Sequence, residues 1–267
     1  SPVEKRHLIG NPNRGLRVTQ LLRAFERAAR HAGFEIEQYG KVDRYPLYCL
    51  TRQGRSGTAH IYVSAGMHGD EPAGPLAILG LLRAQAFSEE ADWFLCPMLN
   101  PSGLQKGTWE NDRGVDLNRD YHDADRSCVE TRAHIAWLEK HLPFDLAILM
   151  HEDWESDGFY VNEFKTGPVA GLDERVIAAV SAQCRINQNK SIDEMSAENG
   201  IVHPFRSGYF GHHWPESFFL RHHGMGTGMN FETPSCLPLR IRLAAQRIAF
   251  AAAAGTYLAR GCGVNDS

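Results

Sequence analysis

Apolar residues follow two different periods along this chain. Where they recur every three or four positions they predict amphipathic helices, and where they form short continuous runs they predict buried strands. The stretch 18–32 has the helical period and is followed by Gly33, a residue typical of helix ends. By the same pattern, further helices are predicted at 72–86, 129–141 and 240–259.

Short apolar runs lie between these helices. Strands are predicted at 45–51, 60–64, 93–98 and 146–150, with one more ending near 228–231. A chain in which strands and helices alternate in this way is typical of an α/β fold. The stretch 166–214 has a helical pattern at 173–184 but is otherwise polar and irregular. Long irregular stretches often form the lids or rims of functional sites.

The composition narrows the class of protein. Hydrophobic residues make up 43% and charged residues 22% of the 267 positions, and no repeat or linker interrupts the pattern, so we expect one domain over residues 1–267. The net charge of −4 lacks the basic excess of nucleic-acid binders. No run approaches the roughly 18 apolar residues of a membrane span, and the N-terminal stretch does not resemble a signal peptide. We therefore expect a cytoplasmic protein without nucleic-acid or membrane partners.

Four short segments carry candidate chemistry, and most of them directly follow a predicted strand. In α/β sheets, binding sites form at the carboxyl ends of the strands. The first segment, 64–72, places His68 and Glu71 three residues apart on a turn bounded by glycine and proline. Imidazole nitrogen and carboxylate oxygen are ligands that suit zinc. The alternative is a solvated turn whose carboxylates favour the N-terminus of the next helix.

The second segment, 111–119, concentrates arginine, asparagine and aspartate around two apolar residues. These polar side chains are costly to bury unless they are paired or bind a ligand. The planar fork of an arginine suits a substrate carboxylate. A surface loop held together by pairs of aspartate and arginine explains the same pattern equally well.

The third segment ends the apolar run 146–150 with His151. This histidine could supply a third metal ligand, and two histidines with one carboxylate leave a position open for water, as in catalytic zinc sites. Taken alone, however, His151 is more simply a core histidine that is hydrogen-bonded to the backbone.

The fourth segment, 229–235, places Glu232 at the end of a predicted strand. A partly buried carboxylate there can have its pKa raised toward neutrality, which suits a general base that activates water and then protonates a leaving amine. The alternative is a polar turn that initiates the last helix, because Ser235 and Pro238 precede it.

Taken together, the segments resemble those of a known family. H-G-D-E at 68–71, N-P-S-G at 100–103, D-L-N-R at 116–119, the strand-end His151 and F-E-T-P at 231–234 occur in this order. This arrangement resembles the zinc carboxypeptidase A-like family, or funnelins. It is similar in layout to bacterial murein peptide amidases, and it is related to the succinylglutamate desuccinylase and aspartoacylase group. The resemblance implies a mixed central sheet flanked by helices on both faces (an α/β/α sandwich) and one Zn²⁺ ion.

The resemblance also implies roles for individual residues. His68, Glu71 and His151 match the three metal ligands, and Glu232 matches the general base. Asp116 matches a residue that orients the first histidine.

The resemblance also implies which residues contact the substrate. Asn118 and Arg119 match the pair that binds the substrate's terminal carboxylate, and Arg113 matches an arginine that polarises the scissile carbonyl. Tyr209 is the best match to a mobile tyrosine of the family, with Tyr121 and Tyr160 as other candidates. A packing or lid role explains Tyr209 without any chemistry.

For the activity, the resemblance implies hydrolysis of an amide bond next to a free carboxylate. The substrate would be a small peptide, including murein peptides with diaminopimelate, or, in the alternative, an N-acyl amino acid. Four carboxylates within 151–157 could receive a substrate ammonium, or they could form a solvated loop. The histidine pairs at 212–213 and 222–223 do not favour a second metal site.

Overall fold

The structure is a computed structural model, and it describes residues 15–55, 59–122, 126–165, 171–203 and 211–261. Seven α-helices occur in these residues: Val18–His31 (α1), Ala73–Arg83 (α2), Pro101–Lys106 (α3), Val129–His141 (α4), Leu172–Ser181 (α5), Glu216–His222 (α6) and Leu239–Gly261 (α7). The strands are Glu35–Val42 (β1), Tyr45–Arg52 (β2), His60–Ala65 (β3), Asp92–Cys96 (β4), Leu146–Asp153 (β5), Tyr160–Lys165 (β6), Ser191–Ile192 (β7), Met195–Glu198 (β8), Ile201–Val202 (β9) and Thr227–Pro234 (β10).

The ten strands form one mixed sheet in the order β1-β2-β4-β3-β5-β10-β6-β9-β8-β7. Its central strands β4, β3, β5 and β10 are parallel, whereas β1 and β2 on one side and β6 on the other side join antiparallel. Parallel strands of this kind are buried on both faces and read as continuous apolar runs. Accordingly, β5 is buried from Leu146 to Glu152.

Helices cover both faces of this sheet. Alternate side chains of β3 point in opposite directions, so that Ile61 and Val63 enter a core with α1, α2, α5 and α7, while Tyr62 enters a second core with α4 and α6. Each core side chain that is fully removed from water contributes about 1.5–3 kcal/mol of transfer free energy. The predicted α/β/α sandwich with a mixed sheet is therefore confirmed.

The predicted elements differ from the observed ones mainly at their ends. Helix α2 ends at Arg83 rather than at residue 86, because Gln85 takes a left-handed conformation with φ +51° and turns the chain. Strand β4 ends at Cys96, before Pro97, which has no backbone N–H to donate. Strand β5 continues past residue 150 to Asp153, because β10 pairs with it along its whole length.

Other elements do not show in the apolar pattern. Strand β1 is a sheet edge whose residues are exposed or half-buried, so it has no apolar run to reveal it. In the stretch 166–214, the helix predicted at 173–184 is confirmed as α5, whereas the three short strands β7, β8 and β9 were not predicted. Residues 166–170 and 204–210 of this stretch lie outside the described part of the chain.

Two further observations concern the chain as a whole. Within the described ranges, no helix is both long enough and apolar enough to cross a membrane. The described cysteines are all free: Cys236 is exposed, and the other four are buried, namely Cys49, Cys96, Cys128 and Cys184.

Candidate functional site

The turn after β3 is built around two glycines. Gly66 adopts φ +65°, a conformation that side chains disfavour, and it reverses the chain at the strand end. A Cβ atom on Gly69 would lie 1.9 Å from the carbonyl carbon of Gly103 at the start of α3, so only glycine fits. The turn is therefore pressed against α3, and this packing fixes His68 and Glu71, which flank Gly69.

The side chains of His68, Glu71 and His151, the three predicted metal ligands, lie next to one another at this turn. The Nδ1 atom of His68 lies 2.6 Å from Glu71 Oε1, and the Nδ1 atom of His151, on β5, lies 3.1 Å from Glu71 Oε2. Their exposed fractions are only 2–4%, and their candidate ligand atoms all lie within 4.8 Å of one another. In the described residues this is the one group of His, Cys, Asp and Glu side chains with the geometry to hold a metal ion.

Neighbouring groups hold the imidazole ring of His68 and the backbone of His151. The Nε2 atom of His68 lies 3.3 Å from Asp116 Oδ1, and its ring stacks on Trp109 with 3.4 Å between the ring centroids. The backbone carbonyl of His151 accepts a hydrogen bond of 2.8 Å from Gln246 on α7. A carboxylate on one ring nitrogen selects the tautomer that leaves the other nitrogen free to bind a metal.

The charges of these groups shift one another's pKa values. Burial by itself lowers the pKa of His68, but the carboxylates of Glu71 and Asp116 outweigh it and raise the pKa to about 9. Burial raises the pKa of Glu71, but the two histidines outweigh it and lower the pKa to about 2. Two imidazole nitrogens and one ionised carboxylate in a buried pocket match the donor set of a catalytic zinc site, so the residues present fit zinc.

The predicted general base, Glu232, lies on the strand next to His151. Strands β10 and β5 are parallel, and Glu232 is the register partner of His151. Burial, followed by the charge of Glu71 and other carboxylates, raises the pKa of Glu232 well above its usual value. A carboxylate with a raised pKa can accept and return a proton near neutrality.

One cleft of about 470 Å³ holds these groups. The predicted residues that line it are His68, Glu71, Asn118, Arg119, His151 and Glu232. Asn118 and Arg119 belong to a short 3-10 turn, Leu117–Arg119, whose N-cap is Asp116; its Oδ1 accepts the Asn118 N–H at 2.8 Å. Asp116 thus contacts both the candidate metal ligand His68 and Asn118, one of the two residues predicted to bind the substrate's carboxylate.

One other predicted residue, Arg113, is not brought into this cleft. Arg113 is exposed on the turn that ends at Gly114, and it is not among the cleft's lining residues. Tyr209 lies outside the described residues. Of the other tyrosines considered, Tyr121 is buried against His134, whereas Tyr160 lines the cleft and donates a hydrogen bond of 3.0 Å to Asp153.

The acidic stretch 151–157 divides into two groups. Glu152 accepts hydrogen bonds from Arg242 and from the N–H of Ala73, which ties β5 to α7 and α2. Asp157 pairs with Arg185 at 3.0 Å, away from the cleft. Glu152 also lines the cleft, although it is bound to Arg242 and Ala73. Asp153 and Glu155 line the cleft as well, and two residues of the β7–β8 turn, Asp193 and Glu194, join them.

Several cleft residues are not among those predicted from the sequence. Asn162 on β6 and Asn230 on β10 lie opposite each other and line the cleft near Glu232. Asparagine is depleted in strands, so an asparagine two residues before a candidate base was a usable signal. Trp109 carried no signal of its own, because its role depends on stacking against a residue 41 positions earlier.

Comparisons with known proteins bear on this site. Residues 58–142 match the succinylglutamate desuccinylase/aspartoacylase catalytic domain. No curated protein matches the sequence significantly.

Solved structures with the same fold are numerous. A candidate metallopeptidase from Shewanella amazonensis shares 25% identity at a TM-score of 0.77, with 89% of this chain and 92% of that chain covered. A candidate metallopeptidase from Shewanella baltica shares 23% sequence identity at a TM-score of 0.75, with 91% of this chain and 92% of that chain covered. A metallo-carboxypeptidase from Pseudomonas aeruginosa was solved in complex with (2-guanidinoethylmercapto)succinic acid. It shares 18% sequence identity at a TM-score of 0.62, with 87% of this chain and 68% of that chain covered.

These neighbours are described as metallopeptidases or as a metallo-carboxypeptidase. In this chain, His68, Glu71 and His151 are the described group with the geometry to hold a metal ion. As the motifs predicted, residues 58–142 carry the signature of the succinylglutamate desuccinylase/aspartoacylase catalytic domain, and the chain has the α/β fold of the metallo-carboxypeptidases.

Proposed function

We propose that this protein is a zinc-dependent hydrolase that cleaves an amide bond next to a free carboxylate. The observation that carries the proposal is the convergence of His68, Glu71 and His151 in the cleft that also contains Glu232 and Arg119. Hydrolysis of an amide next to a carboxylate needs ligands for a metal ion, a carboxylate that can act as general base, and a guanidinium that binds the substrate's carboxylate.

His68 and His151, through Nδ1, and Glu71, through its carboxylate, would hold the ion. Zinc bound there supplies a Lewis acid for the scissile carbonyl. Asp116 holds the ring of His68 in place, so little side-chain freedom is lost on metal binding.

Glu232 would act as the general base. It takes a proton from the attacking water and passes that proton to the amine nitrogen as the carbon–nitrogen bond breaks. Its position on a central strand keeps it in a fixed relation to His151. Arg113 has no role in this proposal, because it does not line the cleft.

Asn118 and Arg119 would bind the carboxylate of the substrate. Arg119 is exposed at the cleft, and its Nη1 donates to the backbone carbonyl of Asn118 at 2.8 Å. The Asn118 Oδ1 accepts the N–H of Glu216 at 3.0 Å, so the amide NH₂ group is the part of this side chain left to donate to a ligand.

Two kinds of substrate remain to be separated. A carboxypeptidase or peptide amidase would act on small peptides, including murein peptides that carry diaminopimelate. The alternative is an N-acyl-amino-acid deacylase, whose catalytic domain matches residues 58–142. This stretch contains His68 and Arg119, groups that either activity can use. That residues 1–267 form one catalytic domain, and that it works in the cytoplasm, stays a prediction.

The test combines metal analysis and turnover. The purified protein is analysed for metal and incubated with a diaminopimelate muropeptide, ordinary peptides and N-acyl amino acids, with products identified by mass. One equivalent of zinc with chelator-sensitive release of a carboxyl-terminal residue or peptide supports the proposal. Cleavage restricted to N-acyl amino acids supports the deacylase. If no metal binds when zinc is offered, the proposed centre is wrong.

A further inference from the structure

Two asparagines lie opposite each other in the cleft. Asn230 on β10 and Asn162 on β6 are register partners on antiparallel strands, and both line the cleft. Side chains in such pairs point to the same face, with about 4.5–5.5 Å between their Cβ atoms. Glu232, two residues after Asn230, points to that face as well. The amide pair therefore lies beside the proposed general base.

Among the described residues, the carbonyl oxygen of neither asparagine side chain has a hydrogen-bond partner. The Oδ1 atoms of Asn162 and Asn230 are shielded from solvent, and no residue in the described part of the chain donates to either one. Leaving such a group unpaired costs about 1–3 kcal/mol. The end torsion of an asparagine is broad and roughly two-fold, so each side chain can turn its carbonyl toward the cleft and meet a donor there.

The charge around the pair decides which donor is favoured. Asp153, Glu155, Asp193 and Glu194 line the same cleft, against Arg119 as the one lysine or arginine among its described lining residues. The pKa of Asp193 is raised by burial and then by the charges of Asp153 and Glu155, and Arg119 partly offsets this, so these groups interact across the cleft. An anionic ligand group would be repelled here, and an apolar one would leave the amides unpaired.

We propose that this part of the cleft binds the side chain of the substrate residue whose carboxylate Arg119 holds, and that this side chain ends in an ammonium or guanidinium group. The amide carbonyls of Asn162 and Asn230 accept its N–H bonds, and the carboxylates of Asp153 and Asp193 balance its charge. The inference rests on the proposed function, since it assigns the side-chain preference of the same cleft.

The substrate test compares blocked dipeptides that differ in the last residue alone: lysine, norleucine, Nε-acetyl-lysine and glutamate. Norleucine lacks only the terminal ammonium group, so the ratio of kcat/KM for lysine to that for norleucine isolates the cation. We expect a ratio of about tenfold or more, which is the effect of one or two charge-assisted hydrogen bonds. Equal rates, or a preference for norleucine or glutamate, would overturn the inference and leave the proposed function standing.

Three variants test which side chains cause the preference for lysine over norleucine. Asn162→Val replaces one amide with a residue that suits a strand and should reverse the preference toward norleucine. Asp193→Asn, on the β7–β8 turn, should lower the lysine-to-norleucine ratio several-fold and more so at low salt. The matched control is Asp157→Asn, from the same acidic stretch but paired with Arg185 outside the cleft, and its ratio should be unchanged.

Calorimetry with free lysine and free norleucine separates the two proposals. Tighter binding of lysine that Asn162→Val abolishes, without hydrolysis of any dipeptide, supports the side-chain pocket and contradicts the proposed peptide cleavage. An unchanged ratio in both Asn162→Val and Asp193→Asn, with full hydrolysis, contradicts the pocket: the acidic residues are then a solvated rim.

Discussion

His151 and Glu232 are paired in register on neighbouring parallel strands at the centre of the sheet. The strand pairing sets the separation of the proposed ligand from the proposed base, so neither position depends on a loop. Parallel strands with helices on both faces are among the most rigid parts of an α/β fold. A general base needs this fixed position, because proton transfer requires hydrogen-bond distances in the reacting complex.

Changing these two residues should separate metal binding from catalysis. Glu232→Gln keeps the shape of the side chain but cannot accept the proton, so kcat should fall by about 10²–10⁴-fold while bound zinc stays near that of the unchanged protein. His151→Ala removes a ligand, so both zinc and activity should be lost. Metal analysis and steady-state kinetics on the two variants check this, and full activity in Glu232→Gln would rule out its role as the base.

Asp116 should tune metal affinity without touching the metal. Its carboxylate lies against the far ring nitrogen of His68, and losing such a partner typically weakens metal binding about 10–100-fold. Asp116→Asn should therefore release zinc at a lower chelator concentration. Asp112→Asn is the control, because Asp112 lies in the same loop but pairs with Lys106 at the surface. If both variants hold zinc equally well, Asp116 does not orient His68.

The neighbouring arginines of this loop should behave differently. Arg119 lines the cleft and Arg113 does not, so Arg119→Ala should raise KM for substrates with a free carboxylate by about tenfold or more, the loss expected for a charge-assisted contact. Amidating the substrate's carboxylate should remove most of that difference. Arg113→Ala should leave KM and kcat within about twofold. A large fall in kcat for Arg113→Ala would instead support the carbonyl-polarising role that the family resemblance implies.

Local sequence patterns predicted those parts of the fold that local forces determine. The strand 146–150 was recognisable because a strand buried on both faces must be apolar throughout, and His151 stood out because it ends that run. Strand β1 was not recognisable, since an edge strand with half-exposed residues has no continuous apolar run. Its position depends on pairing with β2, which is a tertiary effect.

In the candidate site, too, residues that are close in the sequence were predicted together, whereas residues brought together by the topology were not. His68 and Glu71 share one turn, so their spacing in the sequence was sufficient to group them. The pairing of Asn162 with Asn230 joins residues 68 positions apart through strand order, which the sequence does not reveal. The stacking of Trp109 on His68 likewise depends on how α3 folds back against the turn after β3. Groups assembled by topology therefore had to be seen in the structure.

A buried carboxyl on α6 should make stability depend on pH. Glu216 is fully buried; its Oε1 accepts from Tyr62 at 2.7 Å and its Oε2 from Ser64 at 2.9 Å, and its N–H binds Asn118. Burial raises its pKa to about 7, although the two hydroxyl donors oppose the shift. In the unfolded chain a glutamate has a pKa of about 4.3, so the folded protein retains this proton to a higher pH than the unfolded chain does.

Because the folded state binds more protons between these two values, this carboxyl lowers the free energy of unfolding as pH rises from about 4.5 to about 7. Glutamine mimics the protonated carboxyl, so Glu216→Gln should match the unchanged protein near pH 4 and gain relative stability of about 3.5 kcal/mol by about pH 8. Urea unfolding across this pH range measures the difference, with Glu198→Gln at an exposed position of β8 as the control. A difference between Glu216→Gln and the unchanged protein that stays constant with pH would mean that Glu216 is already ionised in the folded state at low pH.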